Sequence, residues 1–114
     1  MIRITMISGE KNEFVSCKAI GHSGFAKQGF DIVCSAVSVL LRTAVLSLEE
    51  RIKIDENLKV ELEYPERGDI EINVTKYGAS SFDYLVFLFS FLELGLTSLS
   101  IEYPEFLCLK CLVL

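Results

Sequence analysis

The chain has 114 residues, 51 % of them hydrophobic and 24 % charged, with a net charge of -5, four cysteines and one histidine. That length suits one domain with a two-layer core, and that composition excludes a disordered chain. The negative charge argues against direct nucleic-acid binding, which needs a basic face, and suits a basic protein or peptide partner.

Met1 to Ser8 alternates, with Ile2, Ile4 and Met6 on one face and Arg3 and Thr5 on the other. This is the pattern of a half-buried strand, not the apolar core of a signal peptide. The expected compartment is therefore the reducing cytoplasm, where the cysteines are thiols rather than disulfides. Ser8 to Asn12 is polar and turn-like, and Glu13 to Ile20 returns as a second strand, with Val15, Cys17 and Ala19 sharing a face. Gly21 ends that strand and His22 follows at once. Ser23 to Phe30 has no period and contains Gly24 and Gly29, which reads as a loop.

Asp31 is the expected N-cap of a first helix over Ile32 to Ile52. Leu58, Val60, Leu62 and Tyr64 alternate with Lys59, Glu61 and Glu63. After Pro65-Glu66-Arg67-Gly68, Ile70, Ile72 and Val74 alternate with Asp69, Glu71, Asn73 and Thr75. This predicts a hairpin with one face in the core and one in water. Ser80 or Ser81 is the expected cap of a second helix, Phe82 to about Tyr103, apolar nearly all the way round. The missing wet stripe suggests a partner surface, most simply a second copy. The apolar run Leu85 to Leu96 carries Glu93 and is short for a bilayer, so a core helix rather than a membrane span is expected. Pro104 stops the helix and Phe106 to Leu114 reads as a last strand. The order β-β-α-β-β-α-β predicts an α+β two-layer sandwich, a mostly antiparallel sheet with two helices on one face.

The chemistry centres on Cys34 and His22. With Asp31 as N-cap, Cys34 falls in the first helical turn, where unpaired N–H groups and the positive end of the dipole favour a thiolate. A thiolate is the nucleophile that acyl transfer requires, and the N–H groups of Cys34 and Ser35 are candidates for holding an oxyanion. His22 is the candidate general base and proton donor. Ser38 lies one turn beyond Cys34 on the same face and could position the thiol or a substrate group. Asp31 could cap the helix or orient His22. The competing reading is structural: Ile32, Val33, Ala36 and Val37 around Cys34 make a core-like setting, and a lone loop histidine is commonly incidental. Cys108-Leu109-Lys110-Cys111 has the spelling of a metal or redox motif, but residues i and i+3 of a strand face opposite ways and no second pair completes a zinc site. No metal and no cofactor is expected, and neither a phosphate loop nor a dinucleotide fingerprint is present.

Gly21-His22, Gly24, Gly29, Asp31-Ile32-Val33-Cys34 and Ser38 together resemble the ribosomal-processing cysteine protease family, Prp. The resemblance is strongest over Gly21 to Val45, and the flanking hairpins and Glu102-Tyr103-Pro104 agree with it. It implies a single protease domain over residues 1–114. It also implies a cytoplasmic endopeptidase that removes the N-terminal extension of a large-subunit ribosomal protein precursor, working as a homodimer. Cys34 and His22 become the catalytic dyad, Gly21, Asp31 and Ser38 supporting residues (Ser35 joins them from the helix-start amides, not from the motif), and Ser23, Gly24, Phe25, Gly29 and Phe30 part of a substrate loop. The CLKCLVL terminus is more hydrophobic than the family leads one to expect. Two alternatives stand beside this reading: a dimeric ribosome-assembly binding protein without catalysis, and a thiol-dependent hydrolase of a small acyl substrate.

Overall fold

The computed structural model describes residues 1–21, 30–65 and 68–114, with residues 30 and 31 described by their backbone alone. The elements are β1 (Ile2–Ser8), β2 (Phe14–Ile20), α1 (Phe30–Ile52), β3 (Lys59–Glu63), β4 (Ile70–Lys76), α2 (Phe82–Glu102) and β5 (Leu107–Val113). The strands form one sheet in the order β3-β4-β2-β1-β5. Every neighbouring pair is antiparallel except β1 and β5, which run parallel. This is the expected α+β architecture, with the five strands and two helices read from the alternation.

The inner face of the sheet presents Ile2, Ile4, Met6, Cys17, Ala19, Ile72 and Leu107 to one continuous core. Val33, Val37, Leu41, Ala44 and Leu48 of α1 and Leu85, Leu88, Phe89, Leu92 and Leu96 of α2 close it from one side. Each such side chain contributes about 1.5–3 kcal/mol by leaving water. The outer face carries Arg3, Lys18, Cys108 and Lys110, all exposed.

Two departures from simple alternation have local causes. In β1–β2 the register steps from Ile7↔Ser16 to Ser8↔Phe14, so Val15 is bulged out of the ladder. The extra residue turns Phe14 into the core, fully buried, in the place alternation gave to Val15. In the β3–β4 hairpin the expected core face is only half covered. Leu58 and Ile72 are buried, but Leu62 and Tyr64 are exposed, because β3 is an edge strand.

The two helices run antiparallel and are tied at one end by a polar knot. Asp55, almost fully buried, accepts hydrogen bonds from the Ser81 hydroxyl (2.6 Å), the Gly78 N–H (3.0 Å) and the Asn57 N–H (3.0 Å). Arg51 donates from Nε to Ser81 Oγ (2.9 Å) and from Nη2 to the Ser80 carbonyl, and its guanidinium lies over the Tyr84 ring. Ser81 is indeed the residue before α2, but its side chain makes no capping bond to the helix. Its hydroxyl is turned to Asp55 instead. That hydrogen bond is the main reason the Asp55 carboxyl is held below the usual carboxylate range; burial opposes it.

α2 spans 21 residues. By length and composition both helices are apolar enough to cross a membrane, so shortness of the apolar run does not decide against a span. The side chains that α2 gives to the core under the sheet are the stronger argument for a core helix.

Candidate active site

β2 ends at Gly21, which adopts φ +97°, a region that L side chains rarely occupy. A Cβ here would collide with the Met1 carbonyl oxygen. The Gly21 N–H donates to Asp69 Oδ1 at 3.1 Å, from the residue that precedes β4. Thus the strand that leads into His22 is tied by the chain before β4 and crowded by the chain before β1. His22 and the loop residues Ser23, Gly24, Phe25 and Gly29 lie outside the described residues.

α1 begins at Phe30, two residues earlier than expected, so Asp31 is within the helix and is not its N-cap. Cys34 becomes the fifth helical residue. In a regular helix starting there, only the N–H groups through Ile32 have no partner within the helix. The N–H groups of Cys34 and Ser35 belong to the ladder, facing the carbonyls of Phe30 and Asp31. They are therefore not the oxyanion donors that the sequence suggested. The dipole also acts more weakly one turn in. The helix still keeps the thiol near its first turn, because helical side chains lean back toward the N-terminus.

Cys34 is half-buried at the margin of the core. The core-like setting is one-sided: Val33 and Val37 are fully buried, whereas Ile32 is 60 % exposed. Ser35 and Ser38 are both exposed, with Ser38 one turn beyond Cys34.

The other cysteines lie elsewhere in the fold. Burial pushes the Cys17 thiol up to about 12. Cys111 is pushed up to about 11, by burial first and then by its hydrogen bond to the Glu93 carboxylate. Met6 pairs with Cys17 on one side and Cys111 on the other. Two strand spacings, about 9–10 Å, therefore separate that pair, too far for a disulfide. Cys108, beside Arg3 on the outer face, points away from Cys111, which removes the C-x-x-C from consideration as a site. Among the described residues no group of three or more His, Cys, Asp and Glu gathers to hold a metal ion.

Among the described residues an apolar groove lies away from Cys34. It has a volume of about 300 Å³ and lies between the helices, with Leu40, Ala44, Tyr84, Phe87 and Phe91 in its walls. Its nearest α1 residue is six positions past Cys34, about 9 Å along the axis.

Solved structures share this fold. A crystal structure of SMU.848 from Streptococcus mutans is 31% identical with TM-score 0.81, over 100% of this chain and 96% of that one. The essential ribosomal processing protease Prp from S. aureus, in complex with a substrate peptide, is 18% identical with TM-score 0.78, over 97% of this chain and 99% of that one. The same S. aureus protease with a covalently linked product peptide is 19% identical with TM-score 0.75, at the same coverage. No curated protein sequence matches the chain. A family model of a cysteine protease matches residues 1–108, nearly the whole length, and by that membership the chain is a cysteine protease. The family is the one described as cysteine protease Prp, and the chain belongs to it.

Asp69, whose carboxylate holds Gly21, was not singled out by the sequence. Alternation placed it simply on the wet face of β4. Its contact with Gly21 follows from β2 and β4 being neighbours, which is a property of the sheet order.

Proposed function

We propose that this chain is an endopeptidase that removes the N-terminal extension of a ribosomal protein precursor in the cytoplasm, with Cys34 as nucleophile and His22 as its base and acid. The observation that carries the reading is the half-buried thiol near the start of α1, in a chain whose family is a thiol protease and whose Cys17 and Cys111 thiols are pushed far above neutrality. The S. aureus relative with a covalently linked product peptide supports it, because a covalent enzyme–product adduct is what nucleophilic catalysis passes through.

The Cys34 thiolate attacks the scissile carbonyl carbon, and the carbonyl oxygen takes the negative charge. N–H groups ahead of Cys34, in the first turn of α1 or the chain leading to it, hold that charge. The His22 imidazolium gives its proton to the leaving amine nitrogen as the C–N bond breaks, leaving a thioester on Cys34. His22, now neutral, takes a proton from water; the hydroxide adds to the thioester and expels the thiolate, and the new carboxyl group leaves with the N-terminal fragment. The chain's charge of -5 suits a basic ribosomal protein as substrate.

The working form is a homodimer through the outer side of α2. Phe87, Phe91 and Leu94 form an exposed stripe there, each more than half exposed, with the Phe87 and Phe91 rings 5.8 Å apart. A stripe of that character is unusual on a lone soluble helix.

The direct test is incubation of the purified chain with the extended ribosomal protein precursor and a reading of the products by mass. Cleavage is expected from the native chain, and none from Cys34→Ser or His22→Ala, both of which stay folded. Normal cleavage by either variant refutes the dyad. Binding without cleavage by the native chain identifies an assembly factor instead, and turnover of a simple thioester alone points to a small-molecule hydrolase.

A further inference from the structure

β2 and β4 pair through Ala19↔Ile70, and no further pair extends that ladder. Two residues later, the Gly21 N–H is taken up by a side chain, the Asp69 carboxylate, at 3.1 Å in a partly buried contact. The bond joins residues 48 positions apart in the chain, so it is a tertiary clamp and not a turn closing on itself. Gly21 also has a positive φ, and the Met1 carbonyl oxygen occupies the space a side chain would need there. One observed hydrogen bond therefore holds this peptide, in a place where only a glycine fits. The next residue is His22.

We infer that Asp69 is a positioning residue for the protease reaction: by holding the Gly21 N–H it fixes the peptide that immediately precedes His22. This rests on the Cys34–His22 reading above. A clamp confined to stabilising the sheet would ordinarily use a backbone carbonyl, which the neighbouring strand supplies at every other position. A side-chain acceptor lets β2 part from β4 while its last N–H stays fixed. A general base must come within hydrogen-bond reach of the thiol it serves, and His22 follows that fixed peptide directly in the chain. Misplacement of a catalytic group by about 1 Å costs on the order of 100-fold in rate.

The test uses the full chain with Asp69→Ala and Asp69→Asn. Asparagine keeps an oxygen acceptor at the same position and alanine removes it. Cleavage of the precursor and the rate of Cys34 carboxymethylation by iodoacetamide are measured at a temperature where urea titration shows each variant fully folded. Asp69→Ala is expected to lower kcat about 10- to 100-fold with little change in KM, and to slow Cys34 alkylation. Asp69→Asn is expected to restore most of both. Wild-type kcat and alkylation in Asp69→Ala, even with reduced stability, overturns the inference, because a purely structural clamp would move only the urea midpoint. Failure of Asp69→Asn to rescue also overturns it. His22→Ala and Cys34→Ser run in parallel separate the two levels. If both are inactive while Asp69→Ala is normal, only the positioning role is lost. If both cleave normally, the dyad itself is wrong.

Discussion

Gly21→Ala perturbs one peptide whose environment is fully specified. Its φ of +97° costs an L-residue about 1–2 kcal/mol. The new methyl carbon would meet the Met1 carbonyl oxygen well inside 3.0 Å, and a backbone atom cannot swing aside as a side-chain tip can. Overpacking of that kind costs about 1–3 kcal/mol. The gain from a stiffer unfolded chain, about 0.4–1 kcal/mol, is smaller than either. The net loss is about 1–4 kcal/mol, against a total for a chain of this size of about 6–17 kcal/mol. The variant therefore folds, with its urea midpoint lowered by about 1 M for a slope of about 1–3 kcal/mol per M. Strain is relieved by moving the peptide that leads into His22, so precursor cleavage by the folded variant falls by more than the folded fraction does. A midpoint within about 0.2 M of wild type on that same slope, together with normal cleavage, would refute the reasoning.

Three further outcomes follow from the geometry. Brief exposure to iodoacetamide near pH 7.5, followed by peptide mass mapping, should label Cys34 well before Cys17 and Cys111, whose thiols are pushed up to about 12 and about 11; equal labelling of all three contradicts a reactive Cys34. The Asp55 carboxyl has its folded value below its unfolded one of about 3.9, so it adds stability above that value and loses it as pH falls through the folded value. Asp55→Asn should then be less stable than wild type at pH 7, by a margin that shrinks below about pH 4; a margin independent of pH would show that the charge is not what matters. Phe91→Glu should shift the sedimentation of the chain from dimer to monomer while leaving its fold intact, and a monomeric wild-type chain would remove the proposed interface.

The number and order of elements were legible in the sequence because alternation and helical period are local signals. Ile2, Ile4 and Met6 need only their neighbours to be assigned to the core. What failed was not local. Phe14 replaced Val15 because a bulge in the ladder with β1 shifted the face. Leu62 and Tyr64 kept their alternation and yet stayed wet, because β3 lies at the sheet's edge. Ser81 stands where a cap belongs and bonds Asp55, 26 positions away, instead. At the site, the helix start moved from Ile32 to Phe30, which took Asp31 out of the cap and the Cys34 and Ser35 amides into the ladder. Cys34 itself stood out through its motif; its residue pattern alone favoured a core cysteine. Asp69 could not be found at all without knowing that β2 lies beside β4.

The parallel pairing of β1 with β5 has a consequence for the chain as it is made. Ile2 is matched with Leu107, so β1 lacks its second neighbour until about a hundred residues have followed it from the ribosome. At about 5–20 residues per second that interval is several seconds or more. During it the apolar strand Ile2–Ser8 shows an open edge of the kind that invites pairing with other chains. Nascent chains would need shielding over this window, and deleting β5 should yield inclusion bodies in place of soluble enzyme.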